Sequence, residues 1–454
     1  MKYRNDMSPE PKSHIKTLMR IGYDFNSAIA DILDNSITAK ATKICIVCPP
    51  ENENPFLSIV DNGVGMGGDE LIQNMRIGCK DPNEKREAGD LGRFGSGMKT
   101  ASFSHARRLT VISKKKGKKL AAACWDIDEI EEKNSWCLME LDEKDIKNLD
   151  YLDKNIIHSQ GTQLIWEKIK KFESSDHVDS KTVIESSMVE LKKYLELHFH
   201  KFMQGQKKIN ISIQNLKLKP FDPFLSSKIG YQEGYSEENP IKGGKLKIKV
   251  HILPHHSNLT QSEIDEIGGM DEIYKGQGLY IYRENRLIIA GGWMGLSRTY
   301  QLGKLARIEI NIPSGVDDDW STDVKKSSLQ LPRKIKDKLK KLIQEPIKRS
   351  KRTYTYRGNK EEANEYWKII HDKRKNTIVY QIDTDNFNLL EIVKETPKKN
   401  FLDLKEYLKN LAKNLPINHI HSKVSSDPKS IKQDKVEFEF SQEQLEAFKK
   451  LWST

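Results

Sequence analysis

An α+β protein is predicted, built from a two-layer α/β domain over residues 10–205, a second α/β block over 206–345 and a small basic region over 346–454. Three observations predict it. Helical and strand periodicities are mixed within the first block, which is the pattern of a helix layer on a sheet. A new run of strands begins at KKINISIQNLKLKPFDPF and closes with a basic helix after Pro332. No apolar run reaches the ~18 residues of a membrane span, so the whole chain is available to globular domains. With 454 residues, two or three domains of about 100–200 residues are expected.

The first element is a helix over 24–40. Phe25, Ile29, Ile32 and Leu33 recur at helical spacing, and Asp24 can cap the start. Strands follow at Lys43–Cys48 and Phe56–Val60, the second running into the glycine-rich turn Asp61–Gly68. Leu71–Met75 reads as helical. Residues 78–97 (GCKDPNEKREAGDLGRFGSG) lack periodicity and read as a long loop, a feature often tied to function. A helix restarts over Met98–His105. Leu109–Ser113 and Leu120–Asp126 form a hairpin across the basic turn KKKGKK. Trp136–Leu141 and Thr162–Trp166 are further strands, and 181–203 is a long helix. In the second block KLKIKVHIL, GLYIYRENRLII and ARIEINIP carry the apolar pattern, before the acidic turn GVDDDW and the helix Arg333–Leu342. Farther on, residues 420–435 read as a linker, and FSQEQLEAFKKLW as a terminal amphipathic helix with Ser441 and Gln444 in capping-box positions.

The formal net charge is +11, with 37% hydrophobic and 31% charged residues. That balance excludes a wholly disordered chain. The excess of lysine fits a polyanionic partner, nucleic acid above all, or a solvated basic face. Residues 330–360 concentrate it, with twelve Lys or Arg against two acids. Five cysteines without framework spacing argue against a disulfide scaffold. The opening MKYRNDMSPEPKSH has no apolar signal core, so a reducing cytoplasm is the expected setting.

Three separated segments carry the chemistry. In DILDNS, Asp31 and Asn35 lie one turn apart on one helix face, with Asp34 beside them. A carboxylate and an amide oxygen so placed leave room for a water or a Mg²⁺ ion, which prefers oxygen ligands and keeps several waters. Alone, this is also the pattern of a polar surface helix. In DNGVGMG an apolar strand delivers Asp61 to a turn that depends on glycine. A buried aspartate there can accept a hydrogen bond from an exocyclic amine, though an ordinary strand–turn would look the same. In GRFGSGMKTAS, glycines precede a helix start, where backbone N–H groups favour anions and Lys99 adds a point charge. The ending differs from the nucleotide P-loop.

Taken together, the order and spacing of these segments resemble the GHKL ATPase superfamily: gyrase B, ninety-kilodalton heat-shock chaperones, histidine kinases and MutL. DILDNS is similar to its N-box, DNGVGMG and GRFGSGMK to its two glycine boxes, and GTQLIW at Gly161–Trp166 to its later Gly-Thr motif. The likeness covers about residues 10–205. Within the superfamily the chain looks most like MORC-type ATPases and their bacterial relatives, more loosely so where YIYRENRLI, ARIEINIP and DDDWSTDVKKS resemble the transducer.

The resemblance implies a Bergerat ATPase domain followed by a ribosomal-S5-like transducer. It implies ATP and Mg²⁺ as ligands, with Asn35 holding the metal and Asp61 the adenine amine, supported by Thr162. Gly63, Gly65, Met66, Gly92, Phe94, Gly95, Ser96, Gly97 and Met98 would shape the pocket and phosphate cradle, and Lys99 would touch phosphate. A transducer lysine would sense the γ-phosphate: Lys326 by strand alternation from Val324, with Lys325 second. Asp31 stands where hydrolysing members usually carry Glu. Being one methylene shorter, it requires a closer helix, help from Asp34, or slow turnover. The implied function is an ATPase switch that homodimerises on ATP and acts on DNA with partner proteins, in genome-conflict or antiviral defence. A chaperone-like remodelling ATPase is the alternative; a histidine kinase is disfavoured because only His14 precedes Asp31. Other candidates do less. Cys45 and Cys48 would point to opposite faces of a strand, His255–His256 and His198/His200 have no obvious ligand partners, and Trp293 and Trp320 suit a core or interface.

Overall fold

A computed structural model of the chain describes residues 9–78, 97–149, 151–153, 159–173, 179–241, 244–255, 258–296, 304–313, 331–355, 367–372, 377–382 and 398–413. The loop glycines Gly92 and Gly95, with Phe94, Ser96, Lys325 and Lys326, lie outside the described residues, as do the linker at 420–435 and the terminal helix.

The first unit is a helix layer on a mixed sheet. Its helices are α1 (Pro11–Met19), α2 (Phe25–Thr38), α3 (Gly68–Met75), α4 (Gly97–Phe103), α5 (Ile127–Lys133), α6 (Glu143–Lys147) and α7 (Ser180–His198). Its strands are β1 (Lys43–Val47), β2 (Leu57–Asp61), β3 (Ala106–Lys114), β4 (Ala121–Asp126), β5 (Met139–Leu141), β6 (Gly161–Ile169), β7 (Asn210–Ile213) and β8 (Leu216–Lys217). They run in the order β5-β4-β3-β6-β2-β1-β7-β8. All neighbours pair antiparallel except β1 and β7, which are parallel. The boundary expected at residue 205 therefore moves: β7 and β8 extend the first sheet, because KKINISI adds beside β1 instead of opening the next unit.

Register explains both the core and the site. Ile46, Ile59, Leu164, Val111 and Ala123 form one row across the sheet, and Leu57, Trp166, Leu109 and Trp125 form the next. Side chains alternate with period two, so these residues share one face. All are buried in the core beneath α2, α4 and α7. α2 supplies Phe25, Ala28, Ile29, Ile32 and Leu33 to it, and Asp24 caps the helix by accepting from the N–H groups of Asn26 and Ser27, as its sequence predicts. One row farther along the same face, the residues become Asp61, Thr162 and Ser113.

The second unit is a five-stranded sheet, β12-β11-β13-β10-β9, formed by β9 (Gln232–Ile241), β10 (Gly244–Ile252), β11 (Gly278–Arg283), β12 (Arg286–Ala290) and β13 (Ala306–Ile312). Helices α8 (Gln261–Ile267) and α9 (Met270–Lys275) connect β10 to β11. Strands β11 and β13 are parallel; the other pairs are antiparallel. One face packs Leu246, Ile248, Ile281, Ile308 and Ile310 against Leu339 and Ile343 of α10 (Arg333–Thr355), a helix that runs past the expected end at Leu342. The opposite face turns Tyr280 and Tyr282 toward Leu197 of α7. Beyond α10 lie the hairpin β14 (Trp367–Asp372) and β15 (Thr377–Ile382) and helix α11 (Lys398–Lys413). Among the described residues no helix is long and apolar enough to cross a membrane.

The two units meet at the end of α7. The Lys201 ammonium reaches the Glu309 carboxylate at 2.5 Å and Asn311 at 3.0 Å, both on β13. His200 Nε2 lies 2.8 Å from the Tyr282 hydroxyl. His251 joins Glu309 at 2.9 Å and Tyr231 at 2.7 Å, and its ring stacks on Phe224.

Candidate functional site

The site grows from the polar row and from α2 above it. A helix advances about 100° per residue, so the consecutive polar residues of DILDNS point in different directions. Ser36 points down: its hydroxyl donates to Asp61 Oδ2 at 2.8 Å. Asn35 is exposed. Asp34 is fully buried and faces Arg286 of β12, whose Nε donates to its Oδ1 at 3.2 Å. Asp31 is buried, accepts from the Tyr23 hydroxyl at 3.1 Å, and faces the start of α4; a Cβ on Gly97 would lie 4.0 Å from its Oδ2.

Asp61 sits at the end of β2, opposite Thr162 on β6. Its Oδ1 accepts the Gly63 N–H at 2.8 Å. Burial pushes this carboxyl above its ordinary range, and hydrogen bonds from Gly63, Ser36 and Thr162 pull it back. A carboxylate kept this dry, with a glycine turn beside it, is a directed acceptor for a donor arriving from outside.

Glycine is required at two neighbouring points. Gly65 has φ +63°, and a Cβ there would stand 1.9 Å from the Lys114 carbonyl oxygen. A Cβ on Gly161 would stand 2.1 Å from the Asp61 carbonyl oxygen. Backbones of the turn, β3 and β6 thus touch directly. Ser113 holds them in place: its oxygen accepts the Met66 N–H at 2.8 Å, lies 2.9 Å from Thr162 Oγ1, and is 3.1 Å from the Gly161 carbonyl. Asn62 ties the turn to β1 by accepting from the Thr42 and Lys43 N–H groups, each at 2.8 Å.

The structure brings Asp31, Asn35, Asp61, Gly63, Gly65, Met66, Gly97, Met98 and Thr162 around α2 and the adjoining end of the sheet. Lys99, expected to touch phosphate, lies on α4 beside them. Its ammonium is buried and donates to the Asn74 carbonyl at 2.6 Å, on the last turn of α3, where a cation meets the negative end of the helix. Sequence reading passed over Ser36, Ser113, Tyr23 and Arg286. The first two were findable, since Ser36 follows Asn35 directly and Ser113 ends a period-two row. Tyr23 and Arg286 carry no local signal. Cys45 is half-buried and Cys48 is buried, its thiol pushed up to about 12 by desolvation. Among the described residues no group of three or more His, Cys, Asp or Glu could hold a metal ion.

Comparison with known proteins agrees with this geometry. Residues 23–162 match the family described as histidine kinase-, DNA gyrase B-, and HSP90-like ATPase. A stretch of 91 residues is 32% identical to ATPase morc-1 of Caenorhabditis elegans, covering 20% of this chain and 10% of that protein. Another 91-residue match is 31% identical to ATPase MORC2B of Mus musculus, covering 19% and 9%. The chain thus carries an ATPase domain of the GHKL type with a MORC-like sequence, and aligns with about a tenth of the length of these relatives.

Proposed function

We propose that this chain, with its GHKL-type ATPase domain, is a Mg²⁺-dependent ATP-binding and ATP-hydrolysing switch that dimerises on ATP and acts on DNA or DNA-bound partners, with genome defence as its setting. The observation that carries the reading is the division of polar residues on α2. Asp61, backed by Ser36, offers a dry acceptor; Asn35 is exposed beside it; Asp31 stands at the start of α4.

The residues present fit a nucleotide and its metal. Asp61 would accept from the adenine amine, with Thr162 and Ser113 supporting from the neighbouring strands. The turn at Gly63 and Gly65 lets backbone approach the base. Asn35 would hold Mg²⁺ through its side-chain oxygen, and Mg²⁺ when bound supplies positive charge to the phosphates. Asp31 is assigned as general base and Asp34 is not, because Arg286 already engages the Asp34 carboxylate. Tyr23 orients Asp31. Lys326, with Lys325 as second choice, is assigned to the γ-phosphate. Gly92, Phe94, Gly95 and Ser96 are assigned to the phosphate cradle.

The DNA reading is supported by α10, which exposes Arg333, Lys336, Lys340 and Lys341 while its apolar face packs on the second sheet. Bringing two such helices together would strengthen binding through counterion release.

Single-turnover phosphate release tests the site. Asp31→Asn should keep ATP and lose turnover, whereas Asn35→Ala should lose Mg²⁺-dependent binding. Sedimentation should show a dimer with a non-hydrolysable analogue and a monomer with ADP. Turnover at the wild-type rate in Asp31→Asn would refute the base; a monomer in both states would refute the switch.

A further inference from the structure

Arg286 is the first residue of β12, directly after a tight turn in which Glu284 and Asn285 have φ of 47° and 70°. Two left-handed residues in succession mark the hairpin turn that suits twisted strands, so Arg286 projects from a rigid corner of the second unit. Its guanidinium is buried and touches three pieces of the molecule. Nε donates to Asp34 Oδ1 at 3.2 Å. Nη1 donates to the carbonyl of Leu287 at 2.7 Å and to that of His198 at 3.4 Å. The carbon of the fork lies 4.1 Å from the centroid of the Phe199 ring. Tyr194 and Asp31 also act on its charge. The second unit therefore grips the last turn of α7 and the middle of α2 through one side chain.

The place it grips on α2 matters. Asp34 stands between Asp31, one turn back, and Asn35, the next residue. A helix of this length moves as a body, because its backbone hydrogen bonds link each turn to the next. Whatever displaces Asp34 displaces the other two. Stability is a poor explanation for such a pair, since a buried ion pair is often no better than a well-packed apolar one. Orientation is a better one: the planar fork fixes direction as well as distance.

We propose that Arg286 is a positioning residue for ATP hydrolysis, holding α2 through Asp34 so that Asp31 meets the attacking water only when the second unit is correctly seated. This rests on the reading of Asp31 as the base given above.

The test uses the full chain and four proteins: wild type, Asp31→Asn, Arg286→Lys, and the double variant Asp34→Leu/Arg286→Met, which replaces the pair with apolar groups. Thermal unfolding, affinity for a non-hydrolysable ATP analogue, and single-turnover hydrolysis are measured on each. The double variant also loses the donors to the Leu287 and His198 carbonyls, so it should unfold near the wild-type temperature, not above it, and bind the analogue as wild type does. Its hydrolysis should fall on the order of 10²-fold, the scale on which a small misplacement acts. Arg286→Lys keeps the charge but loses the fork, so its rate should fall between the two. The proposal is overturned if the double variant hydrolyses ATP at the wild-type rate, or if its rate falls only in step with its stability and affinity. Failure of the parent reading looks different: Asp31→Asn then turns over like wild type, whatever the pair variants do.

Discussion

Replacing Asp61 by Asn should separate nucleotide binding from folding, moving the two in opposite directions. The carboxylate is 8% exposed, and burial pushes it toward the neutral form. Asn keeps an oxygen for the Gly63 N–H, and its amide group can donate to Ser36, whose hydroxyl can accept as readily as donate. Two of the three internal partners, Gly63 and Ser36, are kept, the Thr162 N–H shares the one remaining oxygen, and a desolvated charge disappears, so the unfolding temperature should hold or rise. The ligand loses more. A hydrogen bond to a charged acceptor is worth about 1.5–3 kcal/mol, and facing two donors adds the cost of an unpaired group, about 1–3 kcal/mol. Taking ~3 kcal/mol, affinity should fall roughly 10²-fold. Calorimetry with a non-hydrolysable ATP analogue and a thermal melt measure both quantities. Wild-type affinity would refute the assignment of Asp61 to the adenine amine. So would weaker binding with a lower unfolding temperature, because the carboxylate would then serve the turn and not a ligand.

Gly65→Ala should damage the site and the fold together. The left-handed backbone costs an L-residue about 1–2 kcal/mol, and the added Cβ meets the Lys114 carbonyl at 1.9 Å, so strand β3 or the turn must shift and the Met66–Ser113 bond must lengthen. Unchanged binding and melting in this variant would show that the turn is not fixed against β3. The junction between the units should weaken in acid. Burial drives His200 from 6.5 down to about 4, and His198 is pushed down in the same direction. The unfolded chain then binds the proton first, so this contribution is complete above pH 6.5 and fades as pH falls toward 4; for His200 it is at most about 3 kcal/mol. His200→Gln should show a shallower loss of stability between pH 7 and 4.5 in denaturant melts. Identical slopes in the two proteins would refute this.

What could be read from the sequence was local. Helix α2, its Asp24 cap, the β2 strand and the glycine turn follow from spacing and from residues within a few positions of one another. Contacts spanning the chain were hidden. Asp61 and Thr162 lie far apart in sequence and meet only through strand pairing, and only resemblance to a family put them together. Strand β9 gave no apolar alternation because QEGYSEENPI is polar and exposed; it is held by the ladder to β10 and by ion pairs such as Lys249–Glu233 and Lys247–Glu238. The unit boundary was drawn at the end of the long helix because a parallel partner for β1 leaves no local mark. Lys99 looked like a free charge beside glycines, and its tether to Asn74 is again non-local.

On the proposed reading, magnitudes decide how the two units move. Breaking the Arg286–Asp34 pair takes the counter-charge away from a fully buried carboxylate, a cost of about 3–5 kcal/mol. The coupling energy that ligands usually exert between sites is smaller, about 1–3 kcal/mol. ATP-driven rearrangement is therefore too weak to pull the hairpin off α2. The β11–β12 hairpin, α2 and the end of α7 should travel together, joined also through Arg286 and Phe199 and through Lys201 and Glu309. Motion must then be taken up elsewhere, between α2 and the Asp61 row beneath it, where the polar links have neutral donors: the Val64 N–H on the Ala39 carbonyl at the helix end, and the Ser36 hydroxyl on Asp61. The Ser36 bond is worth less than the ion pair even with a charged acceptor. It joins the helix of hydrolysis to the seat of adenine, so it is the place where seating of the base can be felt by Asp31 and, through Asp34, by the second unit.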